Sequence, residues 1–491
     1  MKKQLLIILL FPFLSYGQVQ IGQDIDGEST GDASGRSVSL NDDGTIVAIG
    51  ANLSGNNTNS TIGHVRVYEN INGTWTQIGQ DIDGESTGDE SGRSVSLNGD
   101  GTILAIGAPL KDTNDRGQVR IYMNTNGNWI QIGQNIDGEA GGDSFGNSVS
   151  LNTDGTIIAI SAPGNNDNGS DSGHVRIYEY INDIWTQIGQ DIDGEAGSDF
   201  SGGSVNLNTD GTIVAIGAGL NDGNGGGSGH VRIYENVNDS WTQVGQDIDG
   251  EAAGDFSGNS VSLNANGTIV AIGARSNNGV NGNSSGHARV YENVNNSWTQ
   301  VGQDIDGEAA DDGFGTSVSL TSDGTIIAIG ADFNDGINGE NSGHVRIFKN
   351  INNTWTQIGI DIDGEAAVDV SSRSISLNTT GTTLAIGANF NDGVNGVNSG
   401  HVRVFDLSGL LATTEFDISQ FQLYPNPASD HITIDLENGS TLEKTTIYNS
   451  LGQIVKTSIE TTISTSNLSK GIYIVEVHTT QGKASRKLII E

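Results

Sequence analysis

Carboxylate side chains recur at regular intervals along most of this sequence. The segment DIDGE spans residues 24–28 and is followed by Asp32, and a similar arrangement returns in each internal repeat. Alternate carboxylates around a glycine turn supply the hard oxygen ligands that calcium prefers, although the same residue types also form ordinary Asx turns. Weak calcium binding and plain turn chemistry therefore both stay open. The candidate calcium ligands are Asp24, Asp26, Glu28, Asp32, Asp81, Asp83, Glu85, Asp89, Asp191, Asp193, Glu195, Asp199, Asp247, Asp249, Glu251 and Asp255.

Histidine and arginine recur together in the segment SGHVR. Because side chains alternate along a strand, the histidine and the arginine two residues later share one face. Identical histidines in most repeats cannot all be catalytic, so we expect them to form hydrogen bonds or ion pairs with carboxylates between repeats. The histidines are His64, His174, His230, His287, His344 and His401, with Gln118 in the remaining copy.

All six tryptophans occupy one repeat position. Such regular recurrence is typical of packing between repeats, while a sugar-stacking platform is the alternative use of exposed indoles. We expect packing. These residues are Trp75, Trp129, Trp185, Trp241, Trp298 and Trp355.

The repeat itself predicts the architecture. The segment that begins at Gly35 (GRSVSLNDDGTIVAIGA) has seven copies, at steps of 57, 54, 56, 56, 57 and 57 residues. Each copy contains four runs rich in β-branched and aromatic residues, bounded by turn residues such as Asn72-Gly73. Four antiparallel strands per repeat are typical of a β-propeller blade. We therefore predict an all-β chain with a seven-bladed β-propeller over residues 18–406, followed by a small C-terminal β-sandwich.

The two ends of the repeat array are complementary. Residues 18–28 resemble the last strand of a blade without its first three, and the array ends at residues 401–409 with a third strand that lacks a fourth. The N-terminal strand therefore completes the seventh blade. All length variation falls in the loop between the second and third strands, which shares one face with the acidic linker. We expect binding on that face.

The charge and the composition of the chain argue against nucleic-acid binding and against cysteine chemistry. Residues 1–17 carry +2 and residues 413–491 carry −3, which leaves −37 of the total −38 on residues 18–412. Such a surface repels nucleic acid, so no nucleic-acid partner is expected. The chain contains no cysteine, which rules out disulfides and thiolate chemistry.

The N-terminus has the features of an export signal. Lys2 and Lys3 precede an apolar run over residues 5–14, and small residues follow before a cleavage site at Gln18. Residues 1–17 are therefore a predicted signal peptide. No segment is apolar enough to predict a transmembrane span, which needs about 20 residues.

The repeats resemble FG-GAP repeats, the propeller repeats of integrin α-subunits and many bacterial surface proteins. Phe145-Gly146, Ala162-Pro163 and the segment Gly107-Ala108-Pro109 carry the resemblance, in a frame that covers residues 18–406. Integrin-like copies place a calcium loop between the first two strands. Here that connection is a bare LNxDGT turn, so this particular calcium site is not expected.

The tail over residues 421–491 resembles the C-terminal sorting domain of the type IX secretion system. The motifs are YPNP, LGQIV, GIYIVEV and KLII, and residues 407–420 form the predicted linker. The resemblance implies a β-sandwich recognised by that secretion machinery, with a secreted or outer-membrane cell-surface location.

These observations favour binding over catalysis. The repeats are nearly interchangeable, and no acid–base pair stands apart from them, so we expect no enzyme activity and no certain cofactor, with calcium as the one candidate. The expected function is binding or adhesion to an extracellular glycan or protein. A polysaccharide-degrading propeller and a passive matrix protein are the alternatives.

Overall fold

The computed structural model describes residues 17–53, 62–112, 114–411, 421–436, 441–449, 453–479 and 482–490. The chain divides into two compact units, the first ending at Ser408 and the second spanning Gly409–Glu491. The predicted signal peptide lies outside the described residues except for Gly17. Most of the predicted linker does too, and its described part contains the one-turn helix Ser408–Leu411.

In the part of the first unit that the structure describes, the chain forms seven antiparallel sheets, one from each repeat. The first strand of each sheet, with the sequence SVSL or a close variant, lies nearest the common axis. The first strands are Ser37–Leu40, Ser94–Leu97, Val149–Leu151, Ser204–Leu207, Ser260–Leu263, Phe314–Leu320 and Ser374–Leu377. The second strands are Ile46–Ala51, Ile103–Ala108, Ile157–Ala162, Ile213–Ala218, Ile269–Ala274, Ile326–Ala331 and Thr383–Ala388. The third strands are His64–Ile71, Gln118–Thr125, His174–Ile181, His230–Asn236, His287–Asn293, His344–Asn350 and His401–Asp406.

The fourth run of each repeat was predicted as one strand but forms two short ones. Thr74–Gln77 and Ile82–Asp83 both pair with the third strand His64–Ile71. The chain bends between them at Gly79, whose φ is +76° and whose Cα faces the carbonyl oxygen of Gly127 in the next sheet. The fourth strands are Val19–Gln20, Thr74–Gln77, Asn128–Gln131, Ile184–Gln187, Trp241–Gln243, Trp298–Gln300 and Trp355–Gln357. The fifth strands are Ile25–Asp26, Ile82–Asp83, Ile136–Asp137, Ile192–Asp193, Ile248–Asp249, Ile305–Asp306 and Ile362–Asp363.

Hydrogen bonds between turns close the array into a ring. At the end of each first strand, a backbone N–H donates to the backbone carbonyl in the turn of the next sheet, and the seventh sheet donates back to the first. The seven bonds are Asp42→Gly99, Gly99→Thr153, Thr153→Thr209, Thr209→Ala265, Ala265→Ser322, Ser322→Thr379 and Thr379→Asp42, with N···O distances of 2.8–3.2 Å. The first unit is therefore a closed seven-bladed propeller.

The N-terminal strands complete the seventh sheet, as the sequence predicted. Val19–Gln20 and Ile25–Asp26 both pair with His401–Asp406, the third strand of that sheet. Ile25 is buried at 3% exposure and packs beside Val402 and Trp75. The closing contact is thus made by residues at opposite ends of the repeat array.

The hydrophobic core lies between adjacent sheets. Each tryptophan is 2–4% exposed and donates its indole N–H to a main-chain carbonyl of the preceding sheet, as Trp75 does to Ile21 at 2.8 Å. Gln23 of the preceding sheet also donates to the Trp75 carbonyl. The indoles therefore pack between repeats and offer no exposed stacking surface.

The described residues of the second unit form two small sheets that enclose a separate core. Phe421–Tyr424, His431–Leu436 and Thr462–Ser464 form one sheet, while Ile454–Ser458, Leu442–Asn449, Gly471–Thr479 and Gly482–Ile490 form the other. Phe421, Ile432 and Ile463 from the first sheet meet Ile447 and Leu488 from the second. This arrangement is the predicted β-sandwich.

Replacing Ile25 with alanine tests the role of the N-terminal strand. We expect Ile25→Ala to lower the free energy of unfolding by about 2–4 kcal/mol, because it removes a buried side chain at the closing junction. Val19→Ala, at a position that is 55% exposed, is the control and should cost less than about 0.5 kcal/mol. Urea unfolding of the mature chain measures both, and equal small losses would contradict closure by this strand.

Candidate functional site at the axial mouth

The last aspartate of each linker stabilises its own turn. The Asp32 carboxylate accepts hydrogen bonds from the backbone N–H groups of Glu28 and Ser29, at 3.0 and 2.7 Å. Burial raises the pKa of Asp32, and these amide bonds oppose that rise. The aspartates at the same position accept similar bonds in the other six linkers: Asp89, Asp143, Asp199, Asp255, Asp312 and Asp369. The turn chemistry considered from sequence is therefore present.

The other linker carboxylates separate toward two junctions. Asp24 accepts a hydrogen bond from Gln20 and lies near His401 and Glu365. Glu28 instead lies 3.7 Å from Arg66 of the following sheet. Within the described residues, every close group of three or more possible metal ligands includes a histidine, and none consists of one linker's four carboxylates. Calcium binding by the linkers stays a prediction.

The recurrent histidines are buried between sheets, with exposures of 0–5%. Burial, reinforced by the neighbouring arginine, lowers the pKa of His64, His287, His344 and His401 to about 4. The imidazoles are therefore neutral near pH 7. The expected ion pairs with carboxylates are seen at 3.9 Å for three of them, His174, His230 and His401. The expected hydrogen bonds are not made by the buried Nε2 atoms of His64, His174, His287, His344 and His401, which have no partner.

The arginine two residues later joins neighbouring sheets. Arg66 donates to the main-chain carbonyl of Asp26 at 2.7 Å, across the junction with the preceding linker. Equivalent bonds join Arg120 to Asp83, Arg232 to Asp193, Arg289 to Asp249, Arg346 to Asp306 and Arg403 to Asp363. The junction residues thus form a repeated structural network.

A different set of arginines lines the mouth of the central axis. Arg36, Arg93 and Arg373 each precede a first strand, and they belong to the first, second and seventh sheets, which are adjacent in the closed ring. Arg275 joins them from the end of a second strand. The mouth encloses about 430 Å³, and its lining also includes serine and asparagine side chains such as Ser37 and Asn147 but no carboxylate.

The arginines at this mouth are in mutual repulsion. Burial, together with the charges of Arg93 and Arg373, lowers the pKa of Arg36 to about 9. Arg93 lies 3.5 Å from Glu90. Within the described part of the chain, no side-chain hydrogen bond or ion pair involves Arg36, Arg275 or Arg373. The site therefore holds uncompensated positive charge in a strongly acidic protein.

One carboxylate lies close to these arginines. Asp332 occupies the position that Arg275 has in the preceding sheet, directly after the second strand. It is 1% exposed, and burial raises its pKa although Arg373 and Arg275 oppose the rise. Asp332 and Glu90 together offset at most two of the four guanidinium charges.

A cluster of guanidinium groups of this kind can bind an oxyanion. Arginine presents several N–H donors in a fixed planar arrangement that matches carboxylate, sulfate or phosphate oxygens in pairs. An anion at the mouth would relieve the repulsion among Arg36, Arg93 and Arg373. The arrangement supports binding of an anionic group and offers polar lining residues for neighbouring hydroxyl groups.

Sequence reasoning missed this site. The residue before the first strand varies as Arg, Arg, Asn, Gly, Asn, Thr and Arg through the seven copies, which in isolation is ordinary variation between repeats. The first and last copies become neighbours only when the ring closes. Combining that variation with the predicted closure would have placed Arg373, Arg36 and Arg93 side by side.

Two family models match the chain. The model described as the secretion system C-terminal sorting domain matches residues 422–491, and the FG-GAP repeat model matches residues 136–178 and 304–348. Both resemblances predicted from sequence are confirmed. The sorting domain indicates secretion and attachment at the cell surface. Among the described residues, no helix combines the length and the apolar character that a membrane crossing requires.

The chain was also compared with solved structures and with curated proteins. The crystal structure of the RRP9 WD40 repeats is 11% identical, covers 80% of this chain and 98% of that chain, and has a TM-score of 0.47. No curated protein matches this chain.

Replacing His401 with glutamine tests the buried histidines. In the unfolded chain His401 binds a proton below about pH 6.5, but in the folded chain only near pH 4. Lowering the pH from 7 to 5 should therefore destabilise the natural chain, relative to His401→Gln, by about 2 kcal/mol. Glutamine is compatible with the fold because Gln118 holds this position in the second sheet, hydrogen-bonded to Asp137.

Denaturant unfolding of the natural chain and of His401→Gln at each pH measures the two free energies of unfolding. The contributions of groups that titrate alike in both chains, such as most carboxylates, cancel in the difference. The same pH dependence in both would show that His401 is freely protonated in the folded protein.

Proposed function

We propose that this chain, which carries FG-GAP repeats and a secretion system C-terminal sorting domain, is an exported, non-catalytic binding protein. Its ligand is an extracellular glycan that presents an anionic group to the axial mouth. The observation that carries the proposal is the group of Arg36, Arg93 and Arg373, which lack side-chain carboxylate partners apart from the Arg93–Glu90 contact. Export through the type IX secretion system places this mouth outside the cell.

The size of the mouth limits what it holds. A volume of about 430 Å³ falls in the range of ligand pockets, roughly 300–1,000 Å³. That space accommodates a small molecule or the end of a chain. The polar lining of serine and asparagine side chains suits sugar hydroxyl groups beside the anion.

The surrounding face determines how a ligand approaches. The linkers lie at the same end of the sheets as the mouth, and Glu28 and Glu85 expose 46% and 41% of their side chains there. A long polyanion lying across this face would meet those carboxylates. Charges beyond the Debye length of about 8 Å are screened at physiological salt, so direct contacts at the mouth decide binding. The ligand we propose enters end-on with a single acidic sugar.

Substitution at the mouth tests this proposal. Arg36→Asn introduces the residue that the third and fifth repeats carry as Asn147 and Asn259, so the fold should tolerate it. We expect it to weaken binding of an oligosaccharide with a terminal uronic acid by at least about tenfold, since one charged hydrogen-bond partner contributes roughly 1.5–3 kcal/mol. Isothermal titration calorimetry measures the affinity.

Arg116→Asn is the matched control, because Arg116 lies in a loop between the second and third strands and pairs with Asp112 at 2.8 Å. It should leave the affinity unchanged. Equal loss in both variants, or equal binding of the neutral oligosaccharide, would contradict recognition at the mouth. Shortened oligosaccharide products in the same mixture would favour the polysaccharide-degrading alternative.

Removal of residues 421–491 tests the export role of the tail. We expect the truncated chain to remain inside the cell, because the sorting domain carries the signal that the secretion machinery reads. We also expect the tail to be absent from the exported natural protein. Intact-mass analysis of surface and medium fractions decides this, and a C-terminus at Glu491 throughout would contradict cleavage.

A further inference from the structure

One junction between sheets differs from four others in the described part of the chain. In the loop before His174, Asp167 occupies the position that glycine holds in the next four repeats, as Gly223, Gly279, Gly336 and Gly393. Those glycines face the carboxylate of the second linker aspartate, as Gly223 faces Asp249. In the third sheet, a further carboxylate therefore enters a junction that is already acidic.

The carboxylates of this junction converge on a buried imidazole. His174 Nδ1 lies 3.9 Å from Asp167 Oδ2 and 3.9 Å from Asp191 Oδ2. Glu139 joins them, with one ligand atom of each of the four residues within 4.8 Å of all the others. His174 is 0% exposed, and neither of its ring nitrogens has a hydrogen-bond partner. Among the described residues, no other histidine has both nitrogens buried and unpartnered.

Negative charge is in excess at this junction. Asp143 and Asp193 act on His174 in addition to Asp191, and each has one buried carboxylate oxygen without a hydrogen-bond partner. Arg176 is the cation in contact with the group, bonded to Asp191 at 3.0 Å and to Glu139. Burial lowers the pKa of His174, which leaves the imidazole in the neutral form that binds metal ions.

We propose that His174, Asp167, Asp191 and Glu139 form a binding site for one divalent transition-metal ion of the zinc class. An imidazole nitrogen combined with carboxylate oxygens suits zinc, whereas calcium takes oxygen ligands. Zinc–ligand distances of about 2.0–2.2 Å place tetrahedral ligand atoms roughly 3.3–3.6 Å apart. The distances from His174 to the two aspartates, 3.9 Å each, must therefore shorten by a few tenths of an ångström, and the other pairs, which lie within 4.8 Å, by up to about 1.5 Å. The side chains of Asp167 and Glu139 are 58% and 52% exposed, which leaves room for this movement once Glu139 leaves Arg176.

The arginine of this junction has an alternative position. Arg176 bonds Asp191 through Nε and Nη2, whereas its six counterparts donate to a main-chain carbonyl of the preceding linker. When a metal ion takes Asp191, Arg176 moves toward the equivalent carbonyl of Asp137. The metal would then tie the loop of the third sheet to the linker of the second.

Metal titration of the mature chain, freed of metal by chelation, tests the site. We expect calorimetry to show one zinc ion bound per chain, and cobalt to give the intense visible absorption of a tetrahedral complex. Asp167→Gly, which restores the residue of four other repeats, should weaken zinc binding at least tenfold. His174→Gln should remove the cobalt spectrum, and circular dichroism confirms that both variants are folded.

His230→Gln is the matched control, because His230 lies with Glu195 and Asp247 in a junction where glycine replaces Asp167. It should leave zinc binding unchanged. Several equivalent zinc ions per chain, affinity unaffected by Asp167→Gly, or calcium binding as tight as zinc would each overturn the assignment. So would the absence of zinc binding at millimolar concentration.

Discussion

The ring of seven backbone hydrogen bonds around the axis is the constraint on which the first unit depends. Each bond joins the turn after one first strand to the turn of the next, and Thr379 donates to Asp42 to return to the start. A second ring lies beside it, in which polar side chains such as Ser376 accept from backbone N–H groups such as Leu40. Because the ring closes, repeats far apart in sequence become neighbours, and both the seventh-sheet junction and the axial mouth exist only for that reason.

Polar contacts between sheets hold an acidic, cysteine-free chain in one register. Each junction combines a buried arginine, a neutral imidazole or glutamine, and carboxylates from two linkers, and the arginine bonds to a main-chain carbonyl in six of seven junctions. Buried groups of this kind are costly when unpaired, so they specify how sheets align. The apolar contribution comes from the tryptophans and the second and third strands between sheets. Charge accumulates where pairing is incomplete, at the axial mouth and at His174.

Most of the fold could be predicted because the same pattern of strand and turn residues occurs seven times in the sequence. The strands, the closing role of residues 18–28 and the packing of Trp75 and its counterparts followed from period and turn residues. The bend at Gly79 was missed. A Cβ atom at Gly79 would meet the carbonyl oxygen of Gly127 in the next sheet, and that contact between repeats cannot be read from one repeat alone. The linker carboxylates were considered together, but Asp32 bonds its own turn while Glu28 faces Arg66. Arg36, Arg93 and Arg373 were missed because their proximity depends on the closed ring.

Anomalous diffraction from a crystal soaked in selenate would show whether ring closure creates an anion-binding site at the axial mouth. Selenate stands in for the carboxylate or sulfate of a ligand, and the anomalous signal of its selenium atom identifies its position. We expect an anomalous peak on the axis, within hydrogen-bond reach of the Arg36, Arg93 and Arg373 guanidinium groups. A fully occupied set of selenate sites elsewhere on the protein, with none at the axial mouth, would contradict it.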